Sequence, residues 1–147
     1  MVLTKTLYDA YMLLQVALTT KITPTTYRQI VIVTISISRF FIADHFHNLP
    51  GFIEERHGHN WKAEATFLVT NEDEELACAT IFDVWIDQIQ CTLLNDQKSL
   101  TGRNPTAESL AQWLFKFLEG HGKVVVRTKI QEKANYWASY GRMSVRV

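Results

Sequence analysis

The sequence predicts an α+β fold in which two helices pack on one face of a four-stranded antiparallel sheet. Three observations carry this. The run Ile30-Val31-Ile32-Val33-Thr34-Ile35-Ser36-Ile37-Ser38 is dominated by β-branched residues and ends in alternation, as a strand does. Leu110, Trp113, Leu114, Phe117 and Leu118 recur at helical spacing. The segments, read in order, follow β, β, β, α, α, β, so the strands and helices are grouped rather than alternating. At 147 residues the chain is sized for one domain with a sizeable core. Residues 1–28 read as an N-terminal extension, helical, and residues 29–147 as the folded domain.

In the extension, Leu7 to Leu18 is rich in apolar residues, but Asp9 and Gln15 interrupt it and it is too short to cross a bilayer core of about 30 Å. The interruption also argues against a signal peptide, and a docking helix is expected instead. The first strand spans Gln29 to Ala43 and places Phe41, Ala43 and His45 on one face. A second runs from His57 to Thr70, with Lys62, Glu64 and Thr66 on one side and Trp61, Ala63, Ala65 and Phe67 on the other. If it begins at His57, then His57 and His59 point the same way.

Asn71 to Glu75 reads as a solvated turn leading into a third strand, Leu76 to Phe82. Asp83 is placed to cap a helix carrying Trp85, Ile86, Ile89, Leu93 and Leu94, ending near Asn95. Asn104 and Pro105 read as a cap and first-turn proline for the second helix, which Gly120 and Gly122 stop. Lys123 to Gln131 returns to β-branched residues as the fourth strand and delivers Glu132 to its end.

Fifteen basic residues balance 15 acidic ones, so no long-range field favours nucleic acid or an anionic membrane. Two cysteines, Cys78 and Cys91, make no disulfide framework and suit a reducing cytoplasm. The concentration of histidine is the chemical signal. His57-Gly58-His59, with His45 at the end of a neighbouring strand, offers three imidazoles to one metal ion. Three protein ligands leaving a fourth position open match a catalytic rather than a structural zinc site, since no fourth protein ligand is apparent. His47 and His121 have no assignable role.

The blocks Phe41-Ile42-Ala43-Asp44-His45, His57-Gly58-His59-Asn60-Trp61, Ile81-Phe82-Asp83, Pro105-Thr106-Ala107-Glu108-Ser109-Leu110-Ala111-Gln112-Trp113, and Glu132 followed by Ala138-Ser139-Tyr140 resemble, in order and spacing, the 6-pyruvoyl-tetrahydropterin synthase and 6-carboxytetrahydropterin synthase family. The resemblance covers residues 30 to 140. It implies a tunnelling fold whose sheets join into a barrel by oligomerisation, usually a homohexamer made of two trimers. It also implies Zn2+ held by His45, His57 and His59, and a substrate of the 7,8-dihydroneopterin triphosphate type. Glu132 matches the family's glutamate that grips the pterin ring, and Thr106 the threonine beside it; Thr106 is also placed to cap its helix. A carboxylate suits a pterin because it accepts two parallel hydrogen bonds from the ring's amino group and N–H.

Two departures stand out. The family's proton-shuttling cysteine is absent, and Glu54, three residues before His57, resembles a variant group in which glutamate replaces it and the side chain is cleaved towards 6-hydroxymethyl-dihydropterin. The family's Leu-Asp-His-x-x-Leu-Asn reads Ile89-Gln90-Cys91-Thr92-Leu93-Leu94-Asn95 here, without the relay aspartate and histidine. Cys91 is then either a relocated thiol reaching the site of a neighbouring subunit, where it partners Glu54, or a small buried apolar residue. The expected function is a zinc-dependent lyase acting on a dihydropterin, with Glu54 and Cys91 as its catalytic groups. A zinc- and pterin-binding homologue without catalysis is the alternative.

Overall fold

The computed structural model describes residues 33–142. The expected helix within residues 1–28 lies outside them, as do the first residues of the expected first strand. Six strands and two helices follow in the order β1 (Val33–His45), β2 (Asn48–Leu49), β3 (Phe52–Ile53), β4 (His57–Val69), α1 (Glu72–Ile89), α2 (Ala107–Gly120), β5 (Val125–Lys133) and β6 (Tyr136–Gly141). Two single 3-10 turns, Leu94–Asp96 and Lys98–Leu100, link the helices. The main sheet has four strands in the order β1-β4-β5-β6, all pairs antiparallel, while β2 and β3 form a separate small hairpin. The expected fold class is the one observed.

The alternation read from the sequence is what assembles it. Phe41 and Ala43 on β1, Trp61, Ala63, Ala65, Phe67 and Val69 on β4, and Val125 and Ile130 on β5 are buried on one face. Cys78, Phe82, Trp85 and Ile89 of α1 and Leu110, Ala111, Leu114 and Leu118 of α2 complete one core against them. Strand pairing sets Phe41 opposite Trp61, Ala43 opposite His59 and His45 opposite His57. A one-residue slip would turn all of these side chains to solvent, so burial of this face fixes the register.

Several boundaries differ from expectation. Leu76 to Phe82 is not a strand, and Asn71 to Glu75 is not a turn; together they open α1. The Asn71 side chain caps that helix by accepting the Glu74 amide at 2.9 Å, and Glu72, Asp73, Glu74 and Glu75 suit the positive end of its dipole. Cys78, Phe82, Trp85 and Ile89 form its buried stripe. Asp83 is therefore mid-helix rather than a cap, and its carboxylate pairs with Arg39 of β1. The helix ends at Ile89, short of Asn95, because Cys91 adopts the left-handed region at φ 58 and its amide turns to Ile42 O, 2.7 Å away. That turn covers the edge of β1, where Asp44 N donates to Thr92 O at 3.0 Å.

The cap of α2 is Thr106 rather than Asn104. Thr106 and Ser109 form a reciprocal capping box, which leaves Pro105 outside the helix. Asn104 instead ties this region to the hairpin, accepting the Asn48 amide at 2.9 Å and donating to Asn48 O at 3.2 Å. The strand expected from Lys123 to Gln131 runs from Val125 to Lys133. The sheet's remaining strand, unread in the sequence, is β6, which pairs with β5 through a tight turn at Ala134 and Asn135. No helix among the described residues is long and apolar enough to cross a membrane.

Candidate metal centre

Continuing the buried face of the sheet beyond Phe41 and Trp61 replaces carbon with nitrogen. His45 ends β1, His57 and His59 begin β4, and the register places all three on the same side. His45 Nε2 lies 3.1 Å from His57 Nε2, which lies 3.0 Å from His59 Nε2. Main-chain carbonyls hold the outer nitrogens: His45 Nδ1 is 3.0 Å from Pro105 O, and His57 Nδ1 is 2.8 Å from Glu55 O. A carbonyl only accepts, so each Nδ1 carries a proton, and the tautomer this selects is the one whose Nε2 is turned inward as the ligand atom. Backbone tethers of this kind commonly orient metal-ligating histidines.

Burial lowers the His45 pKa, opposed by its bond to Pro105 and the charge of Glu132. His59 is lowered by the same cause, again against Glu132. The deprotonated rings that metal binding requires are thus favoured by their surroundings. Gly58 faces away from the centre. A Cβ there would lie 2.7 Å from Asp44 Oδ1, so the glycine leaves space for the Asp44 carboxylate, which Arg56 Nε reaches at 2.8 Å.

Glu132, on the same face of β5 as Ile130 and only 7% exposed, brings Oε1 to 3.2 Å from His59 Nε2 and 3.7 Å from His45 Nε2. One ligand atom from each of His45, His57, His59 and Glu132 lies within 4.8 Å of all the others. A carboxylate therefore lies beside the three imidazoles, where the sequence showed no fourth candidate ligand. Tetrahedral zinc with bonds of about 2.0 Å separates its ligand atoms by about 3.3 Å, so the histidine spacing fits such an ion.

Glu54 approaches from the other side, between β3 and β4. Its Oε1 is 3.7 Å from His57 Nε2, and its Oε2 is 2.9 Å from His47 Nδ1. The latter contact lies off the hydrogen-bonding direction and leaves Glu54 Oε2 buried without a hydrogen bond; the other ring nitrogen of His47, Nε2, is also buried without one. The Glu54 amide donates to His47 O at 3.0 Å, closing the hairpin that carries it. His47 is thus beside the centre. The alternation of His45 and His47 was the available signal, lost because β1 ends at His45.

Thr106 sits at the rim, its hydroxyl engaged with Ser109 and its neighbour Pro105 holding His45. Beside it, Tyr136 Oη donates to Glu108 Oε1 at 2.6 Å; that bond pushes the tyrosine pKa up to about 12 and the carboxyl down. Cys91 is exposed at the edge of β1, outside the histidine cluster of its own chain, with Gln90 Nε2 3.5 Å from its sulfur.

Residues 34–143 match the family described as 6-pyruvoyl tetrahydropterin synthase. No curated protein sequence matches the chain. Among solved structures, the Caenorhabditis elegans 6-pyruvoyl tetrahydropterin synthase is 17% identical with a TM-score of 0.67, covering 80% of this chain and all 100% of its own. The Plasmodium falciparum enzyme is 12% identical with a TM-score of 0.58, over 76% of this chain and 98% of its own. The Plasmodium vivax enzyme, in a form described as a catalytic-residue mutant with glutamate changed to cysteine, is 11% identical with a TM-score of 0.60, over 76% and 98%.

Proposed function

The chain belongs to the 6-pyruvoyl tetrahydropterin synthase family, and from that membership we propose that it is a zinc-dependent lyase acting on 7,8-dihydroneopterin, its triphosphate or a related dihydropterin. The convergence of three inward Nε2 atoms, with two of the rings held by Pro105 and Glu55, is the observation that carries this reading. His45, His57 and His59 hold the ion. When bound, zinc supplies a Lewis acid that polarises the hydroxyl-bearing side chain of the substrate. Glu132 accepts the amino group and ring N–H of the pterin in a paired fork, with Thr106 beside the ring.

Glu54 takes the substrate's proton. Its carboxylate approaches the cluster at His57, whereas that of Glu132 approaches it at His59 and His45, so both are within reach of one ligand at the ion. The Plasmodium vivax enzyme is likewise described with a glutamate as a catalytic residue, which supports this role; the product proposed with it is 6-hydroxymethyl-dihydropterin, as the resemblance of Glu54 to the glutamate variants implies. The exposed thiol of Cys91 is assigned to the site of a neighbouring copy in a homohexamer of two trimers, as partner to Glu54.

The second reading is a zinc- and pterin-binding homologue without turnover, favoured by Gln90 and Cys91 standing where the relay aspartate and histidine belong. Zinc-loaded protein incubated with dihydroneopterin and with its triphosphate, followed by mass spectrometry of the products, separates the two. Conversion of either supports the lyase, and binding of both without conversion overturns it.

A further inference from the structure

Four potential ligand atoms crowd this centre, and His59 Nε2 is the one ring nitrogen among them whose partner Nδ1 is not held by a carbonyl. The Nδ1 protons of His45 and His57 are committed to carbonyls, so their Nε2 atoms, 3.1 Å apart, present only lone pairs. Into the same space Glu132 directs an anionic oxygen, 3.2 Å from His59 Nε2 and 3.7 Å from His45 Nε2. The cation nearest that carboxylate outside the cluster is Lys133 Nζ, at 3.8 Å on a half-exposed side chain. One proton on His59 Nε2 can serve only one of these neighbours at a time, whereas a cation at the centre would answer the carboxylate and all three imidazoles together.

We propose that Glu132 is a fourth metal ligand in the substrate-free protein and leaves the ion to receive the pterin ring, so that ring recognition itself opens the coordination position. The inference rests on the pterin reading above. One carboxylate cannot do both, because the paired fork engages both of its oxygens in one plane. In the exchange the bond from Glu132 Oε1 to the ion breaks and two N–H···O bonds to the carboxylate form. No proton or electron is transferred. A polyol or phosphate without the amino and N–H pair cannot compete for Glu132 and leaves the ion closed, which makes the carboxylate a specificity device as well as an anchor.

The test uses the full chain loaded with Co2+, whose visible spectrum reports its ligands, and 7,8-dihydropterin, which has the ring but no side chain to reach the ion. Saturation with dihydropterin, followed separately by fluorescence, is expected to change the cobalt spectrum. Glu132→Gln is expected to show an altered spectrum before any ligand is added and a metal dissociation constant, by chelator competition, raised about tenfold or more. Dihydropterin binding with the wild-type spectrum unchanged overturns the proposal, and that result needs no variant. If Glu132→Gln keeps metal and spectrum but loses dihydropterin, Glu132 serves the ring alone: this inference fails while the pterin reading stands. If the variant loosens metal yet binds dihydropterin as the wild type does, both the exchange and the pterin role of Glu132 fail.

Discussion

From Phe67 to Trp61 the inward side chains of β4 lie in an apolar core, whereas two residues on, at His59, they meet imidazole and carboxylate. Both ends share one strand, one alternation and one sheet face. At the apolar end Trp61 stacks on Phe41 with ring centroids 5.9 Å apart, and Trp85 meets Phe41 edge-on at 6.0 Å. At the other end the rings of His45 and His59 stand edge-on to the same Trp61, at 5.0 and 5.5 Å. Trp61 is the boundary, and its indole N–H is satisfied by Ala43 O at 3.1 Å. The comparison teaches that a fully packed end supports an end whose outer polar atoms are held by main-chain carbonyls while the inner ones face one another and depend on what binds there.

The comparison breaks most severely at the boundary. Trp61→Ala removes the surface on which both ends rest and is expected to cost about 3–5 kcal/mol in denaturant unfolding, with metal retention lost alongside. The two ends separate when zinc is varied. Zinc at 100 times its dissociation constant should stabilise the wild type by about 2.7 kcal/mol, and His57→Ala should abolish that increment in thermal or denaturant melts while the metal-free protein remains folded. The smallest effect is that of pH on the metal-free protein. His45 and His59 have folded pKa values below the ordinary 6.5, so the unfolded chain binds more protons between those values and 6.5. Their contribution is complete above pH 6.5 and is lost as pH falls below it; unfolding of metal-free protein at several pH values should show this slope, and saturating zinc should deepen it.

The apolar end was the more legible in the sequence. The alternation in β1 and β4 named the buried face and the direction of all three histidines, because strand parity alone decides those points. The start of α1 was hidden because Leu76 to Phe82 is short and apolar, and a run of that length does not separate strand from buried helix until the Asn71 cap is weighed. As an edge strand with few buried residues, β6 left little pattern to read. What the sequence withheld at the site was distance. That Glu132 reaches the histidines and that His47 meets Glu54 depend on pairings between β1, β4, β5 and the hairpin, which no local pattern encodes.

The grip of one asparagine side chain, Asn104, on the backbone of another, Asn48, has a consequence for coordination between parts of the site. Asn48 sits on the hairpin that delivers Glu54, Asn104 just ahead of Pro105, which aims His45, and of Thr106. The Asn104 side-chain amide ties these two segments together at Asn48, so the positions of proton acceptor, metal ligand and Thr106 are coupled through it. A displacement of the hairpin is at the same time a displacement of the carbonyl that orients His45.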